Sequence, residues 1–174
     1  MNEFQTLLLH LKQPEYIHVL INPMPLYGMA AGAFFLVASF LRTPETDKRV
    51  ALLWIVFVGM MTGLAVWYGQ RGYDRVYSMS NEDAQKWLDV HMHRAEALQY
   101  LFYLTGLSAL LSLMRWKTAA WNRLLPRLTL ILAILSVAAA GWISHAGGQV
   151  RHSEFRDGPP NDTEIPQEEH HHAN

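Results

Sequence analysis

VALLWIVFVGMMTGLAVWY, residues 50–68, decides the fold. Its nineteen residues include no Asp, Glu, Lys or Arg. At 1.5 Å of rise per residue such a helix is about 28 Å long, close to the roughly 30 Å hydrocarbon core of a bilayer. Three further stretches, 23–41, 97–114 and 128–146, are also 18 or 19 residues long and equally free of those four residue types. One of them alone could be a buried core helix. Four, separated by charged connections, predict an all-α integral membrane bundle of four transmembrane helices.

Mean hydropathy is only +0.03 because polar flanks dilute the spans. The sequence divides into an interfacial N-terminal arm (1–22), a transmembrane domain (23–155) and a polar tail (156–174). The tail, rich in Pro, Gly and charge, is expected to be disordered. The opening MNEFQTLLLHLK carries Glu3 and too short an apolar run for a secretory signal. The chain has no cysteine. Disulfides, thiolate metal sites, iron–sulfur ligation and covalent haem attachment through C-x-x-C-H are therefore excluded. A net charge of −1 with no basic aromatic patch gives no indication of nucleic acid.

Loops 42–49 and 115–127 hold seven of the fourteen Lys and Arg in 21 residues. That density near span ends predicts that both loops face the cytoplasm, leaving both termini in the periplasm of a bacterial inner membrane. Prolines 23 and 25 mark the entry to the first span. Gly28-x-x-x-Gly32 and Gly59-x-x-x-Gly63 allow helices to approach closely. In the long connection 69–96, Ser80 with Asp83 reads as a helix start that continues into the third span.

Histidine is the second signal. None of the nine lies mid-span, and His18, His91, His93, His145 and His152 all fall at the predicted outer boundary. Residues two apart on a helix point about 200° apart, so His91 and His93 cannot both face the bundle axis. The face of His93 continues through Glu96, Tyr100 and Tyr103 and is taken as the functional one. Gly147 and Gly148 remove side chains between His145 and His152, which suits a neighbouring helix or a flat macrocycle.

Two chemistries could use this boundary. Imidazoles from different helices at one depth hold b-type haem in membrane bundles. His93 and His152 are then the expected axial ligands, with His18 or His145 as substitutes and Tyr100 and Gly148 lining the pocket. Alternatively His93, Glu96 and His152 form a divalent-metal site, since i, i+3 spacing puts His93 and Glu96 on one face. The third reading has no cofactor. Boundary histidines then reach toward headgroups, and Arg94, Glu96, Arg151 and Glu154 pair or dock a larger membrane or periplasmic redox complex. The consecutive His170, His171 and His172 are a weaker metal candidate in the tail. No nucleophile triad or phosphate loop is present, so catalysis by this chain alone is not expected. Charge-free spans also argue against a transporter or pump.

Three motifs occur in order: His18 before the entry prolines in HVLINPMP, HMHRAE at 91–96, and GGQVRH at 147–152. Together they resemble an uncharacterised bacterial family of small four-helix inner-membrane proteins with a closing GG-x-x-x-H motif. The likeness covers about 15–156. One departure is Asn22, where that family often carries a second His before the proline. The resemblance implies haem or metal positions at His18, His93 and His152.

Overall fold

The computed structural model describes residues 2–42 and 45–161, which contain helices and no strand. The helices are α1 (Glu3–His10), α2 (Pro14–Ile21), α3 (Met29–Leu41), α4 (Glu45–Ser78), α5 (Glu82–Leu113) and α6 (Ala119–Arg151). A π-helical turn, Met24–Gly28, joins α2 to α3, and a 3-10 turn, Ser153–Phe155, follows α6. Residues 43 and 44 of the first basic loop, and 162–174 of the tail with its three consecutive histidines, lie outside the described residues.

Local chemistry sets the boundaries. Asn2 and Gln5 form a reciprocal capping box at the start of α1. Pro14 occupies the first turn of α2, where its missing N–H is not needed. Pro23 and Pro25 cannot donate to the helical ladder, so the chain widens into the π turn before resuming as α3. The residue capping α5 is Asn81, whose side chain accepts from Ala84 N at 3.0 Å. Ser80, expected to do this, instead donates to Val76 O at 2.7 Å and closes α4.

Of the 69–96 connection, the helix expected from about Asn81 is present and runs on as α5, whereas 69–78, expected to be loop, is helical. The connection is thus the continuation of α4 and the beginning of α5, joined by a short turn at 79–81. With 34, 32 and 33 residues, α4, α5 and α6 are each about 50 Å long. A helix propagates past an apolar boundary when its added turns find partners. Here α4 receives α2 on Gly69 and Gly72, and Tyr73 donates to the Asp89 carboxylate of α5.

Three helical segments are long and apolar enough to cross a membrane: Pro14–Leu41, Asp47–Ser78 and Ala119–Arg151. The fourth expected span, in α5, does not qualify because Gln99, Tyr100, Tyr103, Thr105, Ser108 and Ser112 interrupt it. Three of these polar groups bind α6. Thr105 pairs with Ser136 at 2.9 Å, Ser108 with Thr129 at 2.9 Å, and Ser112 with Thr129 at 3.1 Å. Thus α5 packs on both α4 and α6.

Met29, Leu36, Leu52, Ile55, Val58 and Phe102 form the core. The expected glycine contacts are present: Gly28 and Gly32 meet Val58 and Ile55, while Gly59 meets the Gly106 backbone. Large apolar side chains such as Phe34, Leu53, Leu107 and Ile131 point outward. The end of α3 and the 114–118 connection lie at one end of the bundle; α2, the 79–81 turn and the end of α6 lie at the other.

Residues 156–161, expected to be disordered, fold back over that second end. Trp87 Nε1 donates to Gly158 O at 2.9 Å, and Arg156 donates to Gln149 O at 2.9 Å and to Asn81 Oδ1 at 3.0 Å.

Candidate functional site

Gly69 carries a hydrogen where other residues carry Cβ, and the His18 ring packs into that space. A Cβ at Gly69 would lie 3.1 Å from the ring. The ring's Nδ1 meets Ala65 O, four residues earlier on α4, at 2.8 Å. The same construction recurs on α6. A Cβ at Gly147 would lie 3.0 Å from the His91 ring, and His91 Nδ1 meets Ile143 O, again four residues earlier, at 3.0 Å. Each helical hairpin therefore clips one histidine from its first half onto its second.

A carbonyl can only accept, so Nδ1 carries the proton in both rings. In the neutral tautomer Nε2 keeps its lone pair, the group through which an imidazole of fixed orientation could hold a ligand. The two ring centroids are 6.3 Å apart with planes at 79°. Two bonds of about 2 Å from opposite sides of one metal ion would hold imidazole centroids about 6 Å apart. The spacing fits a single shared ion.

Burial keeps His91 neutral. It pushes the imidazole below its ordinary value of 6.5, outweighing the bond to Ile143 O, which acts the other way. The charges of His18 and Arg94 lower it further. Arg94, itself buried, stacks on Trp142 at 4.1 Å and donates to Trp142 O at 3.1 Å.

Both rings line a cavity of about 640 Å³. Its lining combines apolar Val66, Leu88, Phe102 and Ile143 with polar Thr62 and Gln99. Arg75 and Arg151 stand at its polar end, where Arg75 also pairs with Glu15 at 2.6 Å. The volume lies within the range of small-molecule and cofactor sites. Neutral ring nitrogens, glycine cradles, apolar walls and nearby guanidinium groups fit a planar macrocycle bearing carboxylates.

Of the expected site residues, His18, Gly148 and His152 line this cavity. His152 is exposed and pairs with Glu154 at 3.0 Å; the bond from Glu154's own backbone and this contact hold that carboxyl below its usual range. His145 is exposed and packs edge-on against Trp87, at a separate groove beneath the 156–161 segment. His93 and Tyr100 are exposed on the far face of α5, and Glu96 accepts from Gln70 Nε2 at 2.8 Å. Among the described residues, no three His, Asp or Glu gather in a metal-binding group, so His93, Glu96 and His152 are not brought together.

The sequence reading missed His91, Gly69 and the two carbonyls. A signal for His91 existed. Leu88, His91, Ala95, Gln99 and Phe102 repeat every three or four residues and lie on the cavity side. Comparison with protein-family models, with curated proteins and with solved structures finds no match to this chain.

Proposed function

We propose that this chain is a bacterial inner-membrane protein whose four helices cross the bilayer and hold one non-covalent b-type haem between His18 and His91. The haem would lie near the periplasmic surface, and the protein would pass electrons to a membrane or periplasmic redox partner. The observation carrying this reading is the paired clip, with two carbonyl-anchored imidazoles 6.3 Å apart in one cavity. The lack of cysteine makes any attachment non-covalent.

Bound haem would supply one-electron redox chemistry. The protein's part is positioning and environment. His18 and His91 donate Nδ1–H to Ala65 O and Ile143 O, which raises the basicity of Nε2 and holds each ring in place. Phe102, Val66 and Ile143 would exclude water, while Arg75 and Arg151 would face the carboxylates. A haem held by both His18 and His91 would be suited to electron transfer rather than to substrate chemistry.

The four-span arrangement is supported by α5, whose Thr105, Ser108 and Ser112 bind hydroxyls of α6 rather than meeting lipid. Basic residues Arg42, Lys48, Arg49, Arg115 and Lys117 cluster at the end opposite the cavity, which supports a periplasmic site.

Ligand substitution tests the reading. His91→Ala should lose most of the haem, and His18→Ala should retain less or convert it to high spin. His93→Ala should behave as wild type. Haem retention that depends on His93 and ignores both His18 and His91 would overturn the assignment.

A further inference from the structure

A second cavity, of about 370 Å³, lies apart from the histidine pair. Trp87 of α5 and His145 and Gln149 of α6 line it together with Phe155, Asp157 and Pro160 from the chain beyond α6. That chain is fastened in place. Gly158 O accepts from Trp87, and Arg156 donates to Gln149 O, to Asn81 Oδ1 and, at 3.3 Å, to Val150 O. Gly158, at φ +134°, makes a turn that side-chain-bearing residues disfavour, and Pro160 behind it is buried.

The polar groups brought to this cavity are acceptors. Gln149 is only 8% exposed, and its Oε1 is buried without a hydrogen-bond partner. Buried acceptors are ordinarily paired, so one left open at a cavity wall marks a place for a donor. Asp157 adds an exposed carboxylate that has no ion pair among the described residues. The adjacent cation does not neutralise the cavity: the Arg156 guanidinium is committed to three other acceptors and does not line it. Trp87 and Phe155 contribute aromatic rings, which attract organic cations. One carboxylate and one imidazole beside aromatic rings are a poor donor set for a metal ion.

We propose that this cavity binds a primary ammonium group carried on a short chain. Its N–H groups bond Gln149 Oε1 and the Asp157 carboxylate, and its charge lies against Trp87. The site is independent of the haem reading and needs no haem. The same ammonium group is offered by a free amine in solution and by the headgroup of phosphatidylethanolamine at the membrane surface.

The test is a titration of the full-length protein in mild detergent with ethanolamine, followed by the Trp87 indole N–H signal in NMR, which is assigned by its loss in Trp87→Phe. The signal should shift saturably with ethanolamine. Ethylene glycol, the neutral counterpart, and sodium chloride at equal ionic strength should leave it in place. Asp157→Asn, a change at an exposed side chain that leaves the packing intact, should weaken binding about tenfold. Gln149→Leu, which removes the buried acceptor, should weaken it roughly threefold. Absence of a saturable shift would overturn the proposal, as would an equal response to ethylene glycol or unchanged affinity in Asp157→Asn. Nanodiscs distinguish the two sources. Ethanolamine should bind in phosphatidylglycerol discs. Loss of that response in phosphatidylethanolamine discs identifies the headgroup as the occupant, and an undiminished response identifies the free amine.

Discussion

His18 and His91 meet edge-on inside the helical bundle with ring centroids 6.3 Å apart, each seated on a glycine and bonded to the carbonyl four residues before that glycine. The pairing joins α2 and α5, which are separated in sequence by the whole of α3 and α4. Its geometry depends on absent side chains as much as on present ones.

Gly147→Ala should therefore be as damaging to the site as loss of a direct contact. The new methyl would lie 3.0 Å from the His91 ring, which is buried and cannot retreat freely. Disturbing such a ligand-orienting shell costs about 10- to 100-fold in affinity. Haem titration of the apoprotein should show that loss. Gly141→Ala, whose Cβ meets nothing within 4 Å and which does not line the cavity, is the matched control and should bind as wild type.

Much of this arrangement was legible in the sequence, and the limits are instructive. The spans 23–41, 50–68 and 128–146 emerge as helices because lipid-length apolar runs have few other folds. Histidine depth followed from the same count and placed His18 and His91 at one end. The sequence favours His93 over His91 because a polar stripe through Glu96 and Tyr100 reads as inward, whereas the structure exposes His93 and Tyr100 and buries His91. In a membrane-type bundle that face can equally meet headgroups. The weave of apolar and small residues through His91 was the better guide. Gly69 carried no signal of its own, since its role exists only once α2 lies against α4. Likewise the Gly158 carbonyl that receives Trp87 could not be matched to it by any local pattern.

Acid should destabilise the apoprotein through His91. Its native value lies below the ordinary 6.5. Below about pH 6.5 the unfolded chain takes up a proton that the buried ring resists, so stability falls as pH drops; above that pH its contribution is flat. Thermal unfolding in detergent between pH 5 and 8 should show this slope, and His91→Gln should reduce it.

The hydroxyl ladder between α5 and α6 should stabilise modestly. Thr129→Val removes the partner of both Ser108 and Ser112. Interhelical hydrogen bonds of this kind average about 0.6 kcal/mol, with a ceiling near 1.7 kcal/mol. A loss of about 1 kcal/mol is expected by denaturant titration in mixed micelles, with haem content unchanged.

The folded-back segment 156–161 should be separable from the site. Trp87→Phe removes the donor to Gly158 O and should cost about 1 kcal/mol. Limited proteolysis should then cut after α6 more readily, while the Soret band keeps its position.

The most direct measurement is a dithionite-reduced minus oxidised spectrum with a pyridine haemochrome assay, on protein purified in mild detergent from haem-replete membranes. The expected result is one b-type haem per chain with sharp six-coordinate bands, lost in the His18→Ala, His91→Ala double variant. A colourless wild-type protein, or a b-type signal that survives in the double variant, would contradict the assignment of this histidine pair.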